Sequence, residues 1–147
     1  MRDEARSVAA WEALFRAQVA VMRRLGADFP RNDISFNEYD VMFTLTRAAN
    51  RALRLRDLTR AVLLTQPSVS RLVDRLAARG LVDKLPDETD ARGTVIRLTD
   101  AGRDAFHAVA RVHGASIDRI VGDALSPDEL EQLTRLTTKL RANLPPA

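Results

Sequence analysis

The 147-residue sequence contains no cysteine. Disulfides, thiolate metal sites and sensing by cysteine oxidation are thereby excluded. Its histidines are His107 and His113 alone. On one helix that separation is about 600° of rotation, which points them to different faces. With no HExxH pattern around them, no metal and no cofactor is expected. The three methionines are too few to argue for methionine-based sensing. No stretch approaches the roughly 18 consecutive apolar residues of a membrane helix. Met1 to Arg6 leads into a polar helical pattern without an apolar signal core, so the expected location is the cytoplasm, with no membrane partner. Catalytic motifs are missing as well. No Gly-x-Ser-x-Gly elbow surrounds Ser68 or Ser70, and there is no phosphate-binding glycine loop and no dinucleotide fingerprint. Asp87 and Glu88 are paired carboxylates, but they sit in turn chemistry that cannot hold an acid/base pair in place. An enzyme is not expected.

What is present is an uneven distribution of charge. The length suits one compact domain, and the net charge is only +3. Between Arg51 and Arg97 lie ten basic and six acidic residues, whereas the rest of the chain carries thirteen basic and fourteen acidic. A basic middle between near-neutral flanks fits a nucleic-acid surface, although a solvated face with chance asymmetry has the same composition.

The apolar periodicity predicts a mainly α-helical chain. A first helix runs from about Asp3 to Leu25, with Gly26 as its stop and a loop over Ala27 to Asp33 that contains Pro30. A second starts at Ser35, where Ser35 and Glu38 have capping-box spacing, and buries Phe36, Tyr39, Met42, Phe43 and Thr46 before ending near Asn50. A short helix follows from Arg56 to Val62, with Leu58 and Ala61 inward. Thr65 caps a helix over about 66–79, with Pro67 tolerated in its first turn and Gly80 as a left-handed end. Its apolar stripe is Val69, Leu72, Val73 and Leu76. Leu81–Leu85 and Thr94–Leu98 are strand candidates around a turn-rich segment, which makes a two-stranded hairpin over 81–98. Thr99 caps a long helix over about 100–124, and Ser126-Pro127-Asp128-Glu129 opens the last. The first residues and the tail from Pro145 are expected to be loose.

A short helix, a tight turn and a capped helix with a basic polar face make a helix-turn-helix, and the hairpin directly after it makes a winged one. An α-helix fits the major groove of duplex DNA and its N-terminal residues reach base edges. Thr65, Gln66, Pro67, Ser68 and Ser70 occupy that end, and all but Pro67 have side chains that can give or accept hydrogen bonds there. Arg71, on the exposed face, suits a bidentate contact to guanine, and Arg75 one turn on suits a phosphate. At the wing tip Arg92 suits a minor groove, with Asp90 holding it extended by an ion pair or making only an ordinary surface pair. Trp11, Phe15, Tyr39 and Phe43 are aromatics at helical spacing, either core or the lining of a pocket for an aromatic ligand.

The segment Leu64 to Val82 closely resembles the recognition helix of MarR-type regulators. Asp90-Ala-Arg92-Gly-Thr-Val-Ile-Arg-Leu98-Thr99-Asp-Ala-Gly102 resembles that family's Asp-x-Arg wing and its Leu-Thr-x-x-Gly entry to the next helix. The helical order extends the likeness to nearly the whole chain. Two departures are a turn, Val62-Leu63-Leu64, without glycine, and a short helix that begins without a Ser or Thr cap. The resemblance implies a single domain in which 35–99 is the winged helix-turn-helix, with dimerisation helices over about 3–34 and 100–147. It further implies a homodimer on a pseudo-palindromic operator, usually a repressor, released by a small and often aromatic or phenolic ligand. A winged-helix module that docks on protein or RNA without ligand control is the alternative. A third reading, a small helical enzyme or ligand carrier, has no motif to support it.

Overall fold

The computed structural model describes residues 3–31 and 33–145. Of the expected loose ends, residues 1–2 and 146–147 lie outside the described residues. The elements run α1 (Glu4–Ala27), α2 (Phe36–Arg47), β1 (Ala52–Arg54), α3 (Leu55–Ala61), α4 (Gln66–Ala78), β2 (Val82–Pro86), β3 (Thr94–Leu98), α5 (Asp100–Ile117) and α6 (Pro127–Ala142). The fold is mainly helical with one small antiparallel sheet. Among the described residues no helix is long and apolar enough to cross a membrane. The chain divides into two compact units, Pro30–Val112 and Met1–Phe29 with His113–Ala147.

In the unit Pro30–Val112 the sheet has three strands in the order β1-β3-β2, one more than the hairpin expected. The added strand is Ala52–Arg54, which pairs Leu53 with Ile96 and Arg54 with Val95. Three residues cannot display a two-residue period, so only the exposed edge of β3 defines them as a strand. Asn50 and Arg51 turn the chain into it with positive φ of 55° and 56°. Asparagine accepts that conformation readily, while Arg51 is held there with its guanidinium on Asp100 at 2.9 Å.

The core of this unit lies between α2, α4 and the sheet. Val69, Leu72, Val73 and Leu76 are all buried, so the stripe read from α4 is the stripe it buries. In α2 the buried set is Glu38, Val41, Met42 and Leu45, which corrects the expected face. Phe43 is 39% exposed, and Tyr39 is half-buried. Both rings pack on Phe106 of α5, at centroid distances of 6.3 and 5.0 Å, while the aliphatic side of α2 faces β3. In α3 Leu58 is inward but Ala61 is exposed, and Val62 takes the second buried position.

The caps of this unit follow the sequence closely. The Ser35 N–H donates to Glu38 Oε2 and the Glu38 N–H to Ser35 Oγ, each at 3.1 Å. Gly80 ends α4 with φ +72°, and the Leu81 N–H donates back to the Leu76 carbonyl at 3.0 Å. The Leu81 carbonyl in turn accepts from the Thr99 N–H at 3.1 Å, and Thr99 Oγ1 accepts from the Gly102 N–H at 3.0 Å. The first turn of α5 therefore sits directly on the backbone that links α4 to the wing.

In the other unit α1 runs through Gly26 to Ala27, and the Asp28 N–H closes it on the Arg24 carbonyl at 3.0 Å. The expected stop at Gly26 is thus corrected. Glycine is only permissive, and here it continues the helix without a positive φ. Helix α5 ends at Ile117 and continues as a π-helical turn over Asp118–Gly122, in which the Asp123 N–H reaches the Asp118 carbonyl at 3.2 Å. Arg119 of that turn pairs with Asp28 at 2.9 Å. Helix α6 opens with the expected capping box between Ser126 and Glu129.

His113 is 4% exposed and lies edge-on to Phe29 at 5.3 Å. Burial pushes its imidazole below the ordinary histidine range. The unfolded chain therefore takes up a proton first as pH falls. The stabilisation from the neutral ring is complete above about pH 6.5 and is lost as pH falls from there towards the lowered native value. The midpoint of thermal unfolding is expected to drop between pH 7 and pH 5, and to drop less in His113→Gln. Scanning calorimetry at both pH values checks this.

Candidate nucleic-acid interface

Helix α4 presents its polar side because its apolar positions are consumed by the core. Thr65 stands at the N-cap with extended backbone, and its Oγ1 accepts from the Ser68 N–H at 3.3 Å. Thr65, Gln66, Pro67, Arg71 and Arg75 are exposed, and Ser68 and Ser70 are half-buried. Thr65 caps α4, Gln66 to Arg71 lie in its N-terminal half, and Arg75 lies one turn further on. The Arg71 guanidinium reaches back to Ser68 Oγ at 3.4 Å and has no ion pair among the described residues. Arg75 is 59% exposed, and its Nε lies 3.6 Å from Glu38 Oε1. Arg79 lies 3.4 Å from the other oxygen of Glu38 and donates to the Asp33 carbonyl at 2.6 Å. The buried Glu38 carboxylate thus ties the base of α2 to the basic side of α4. Glu38 was read from the sequence only as a capping residue.

The wing loop folds around Asp87. Its carboxylate accepts from the Thr89 N–H and from Thr89 Oγ1, both at 2.9 Å, and meets Arg54 Nε at 2.6 Å. Arg54 also donates to Thr89 Oγ1. The hydrogen bonds from Thr89 first, and then the Arg54 charge, hold the Asp87 carboxyl below the usual carboxylate range. Asp90 does not form the ion pair with Arg92 that was envisaged. Its Oδ1 accepts from the backbone N–H of Arg92 at 3.0 Å. At two residues' separation in a turn the carboxylate reaches the main chain more readily than an outward guanidinium. Arg92 is exposed and is left without an ion pair among the described residues.

A cleft of about 200 Å³ separates the start of α3, the start of α4 and the wing. Arg54, Arg56, Gln66 and Arg92 line it together with Asp87 and Asp90. The structure so brings Gln66 and Arg92 to one surface, and adds Arg54 and Arg56, which the sequence reading counted only as charge. No signal in the sequence located them, because β1 was not recognisable. The aromatic set is divided between the units. Trp11 and Phe15 pack on each other at 5.7 Å on α1, and Tyr39 and Phe43 pack on Phe106.

Comparison with known proteins agrees with this geometry. A profile of the MarR family matches residues 32–93. The HTH-type transcriptional regulator PecS of Dickeya dadantii is 30% identical over 128 residues, spanning 86% of this chain and 75% of PecS. A MarR family transcriptional regulator of Streptomyces coelicolor, solved in complex with DNA, superposes with a TM-score of 0.77 at 23% identity, covering 100% of this chain and 92% of that one. BpsR of Bordetella bronchiseptica, whose DNA binding is regulated by 6-hydroxynicotinic acid, has a TM-score of 0.73 at 22% identity, covering 91% and 93%. The structural likenesses, at these identities, speak for the fold. The PecS match over three quarters of that protein's length, together with the profile over the helix-turn-helix and most of the wing, shows that this chain belongs to the MarR family of transcriptional regulators.

Proposed function

We propose that the protein is a cytoplasmic, homodimeric, sequence-specific regulator of transcription that binds a pseudo-palindromic operator in duplex DNA. The observation that carries this reading is the exposed polar side of α4, where Arg71 has no ion pair among the described residues, together with the wing arginine Arg92, which lines one cleft with Gln66 of that helix. Arg71 is assigned to a base edge, Arg75 to a phosphate and Arg92 to a minor groove. Thr65, Gln66, Pro67, Ser68 and Ser70 form the end of the helix that enters the major groove, and Asp90 shapes the turn that presents Arg92. A structural neighbour solved in complex with DNA supports DNA as the partner. Repression relieved by a small aromatic ligand is the regulatory half of the proposal. It is supported by the ligand control of BpsR and by the aromatic sets Trp11 with Phe15 and Tyr39 with Phe43.

A second reading, a winged-helix module that docks on another protein, has one observation in its favour. Leu63, in the turn before α4, is 93% exposed. The deciding experiment is a salt-dependent titration on the DNA upstream of the protein's own gene, with random duplex as control. Preference of about a thousandfold, falling steeply with salt, is expected for a regulator. On that duplex Arg71→Ala is expected to cost about 1–3 kcal/mol and to relax specificity at one base position. Arg75→Ala is expected to weaken all sequences alike and to flatten the salt dependence, by less than a full contact because Glu38 already holds part of its charge. Unchanged affinity in Arg71→Ala would favour the docking module.

A further inference from the structure

Arg54 stands where β1 ends and α3 begins, paired in register with Val95 at the end of the sheet from which the wing loop leaves. Its guanidinium spans two residues of that loop, Asp87 at 2.6 Å and Thr89. Asp87 is buried and is the centre of the loop. Its N–H donates to the Gly93 carbonyl at 3.1 Å, and the Gly93 N–H donates to the Asp90 carbonyl at 2.9 Å. Gly93 packs so closely on Asp87 that an added Cβ would lie 3.1 Å from the Asp87 Cβ. Asp90 then receives the Arg92 N–H. A short chain of contacts thus runs from Arg54 through Asp87 and Gly93 to Asp90 and Arg92. No other basic side chain among the described residues forms an ion pair with Asp87.

We infer that Arg54 is a positioning residue for DNA binding, a latch that fixes the wing to the helix-turn-helix so that Arg92 is held at a set distance from the recognition helix α4. This rests on the regulatory reading above and on the assignment of Arg92 to the minor groove. The physical reason is the make-up of the loop. Residues 87–93 are polar turn chemistry, and Asp87 is the only buried side chain among them, so the loop has no apolar anchor of its own. A charge-assisted contact at a buried carboxylate is the strongest constraint available to it. Arg54 itself is about two-thirds buried, donates to Thr89 Oγ1 and sets its charge against Asp87, which removes it from direct competition for a phosphate.

The test is a double-mutant cycle on the own-promoter duplex, or on the preferred sequence from a genome-wide binding selection, with the full dimeric protein. Arg92→Ala is expected to weaken binding about tenfold and to lower the salt slope by about one. Arg54→Met is expected to do the same without itself touching DNA, and the double variant is expected to lose no more than either single one. Arg54→Lys, which keeps the charge beside Asp87, is expected to recover most of the affinity. The loss from Arg71→Ala should remain additive with Arg54→Met, which separates a displaced wing from a generally unfolded domain. If Arg54→Met does not fold, Thr89→Val, which removes one of the contacts of Arg54, takes its place in the cycle. Additive losses of Arg54→Met and Arg92→Ala, with the salt slope falling by about two in the double variant, would make Arg54 a direct phosphate contact and overturn the latch. Absence of any sequence preference in the unmodified protein would overturn the regulatory reading and the latch together.

Discussion

Gly102→Ala is expected to lower stability by about 1–3 kcal/mol, a large effect for the addition of one methyl group. A Cβ at this position would lie 2.0 Å from the Leu81 carbonyl oxygen and 2.7 Å from Leu98 Cδ1. The side chain of Leu98 can shift, but the carbonyl cannot, because it accepts the Thr99 N–H and belongs to the backbone that joins α4 to β2. The first turn of α5 must therefore lift away, with loss of the Thr99 hydrogen bonds on both sides. For a chain of this size the unfolding midpoint should fall by about 5–10 °C in a thermal melt followed by circular dichroism. Gly26→Ala is the control. Its Cβ would meet nothing within 4 Å, and Gly26 lies inside α1, so stability should hold or rise by up to about 1 kcal/mol. Equal losses in both variants would show that glycine content, not the contact with Leu81, sets the effect.

Leu136→Asp combined with Leu140→Asp is expected to convert the proposed dimer to a monomer and to reduce operator affinity by about 100- to 10,000-fold. Leu133, Leu136 and Leu140 form one stripe on α6 and are 42%, 54% and 49% exposed, and Leu144 just beyond its end is 61% exposed. On α1 Val8, Trp11, Phe15 and Met22 are 53%, 58%, 40% and 44% exposed. A single chain leaves these faces in water, where large contiguous apolar areas are costly and mark an interface. In the proposed dimer a second copy related by a two-fold axis would bury them and would set two recognition helices about one DNA turn apart. Loss of the link turns an intramolecular second contact into a separate binding event, which is the origin of the large factor. Light scattering should give half the mass, while the helical signal at low temperature is retained because the substituted side chains are exposed. A double variant that stays dimeric would move the interface away from α6.

Much of this was legible in the chain. The capping boxes at Ser35 and Ser126, the Thr65 cap and the Gly80 terminus are local devices, satisfied within a few residues, and each appears where its spacing places it. The α4 stripe was equally legible, because thirteen residues show a helical period and a single face can be buried. With the strand candidates on either side of the turn-rich segment 86–93, these give a helix-turn-helix, a hairpin and an exposed basic side that includes Arg71.

The tertiary structure decided what has no local cause. Strand β1 exists because β3 offers it an edge, and three residues carry no period of their own. The buried side of α2 is turned towards Val41 and Leu45 because the Phe106 ring receives Tyr39 and Phe43, a choice made by a residue more than sixty positions away. Asp87 beside Arg54 and Glu38 beside Arg75 are likewise remote in sequence, and only the fold shows that Arg54 is held by a buried carboxylate while Arg71 and Arg92 have no ion pair among the described residues. Sequence patterning thus settles which segments are helical, since that depends on neighbours within one or two turns, and it settles the buried face where a single apolar stripe is on offer, as in α4 but not in α2. The direction in which a charged side chain is spent depends on which distant carboxylate the fold brings beside it, and that is a property of the packed structure.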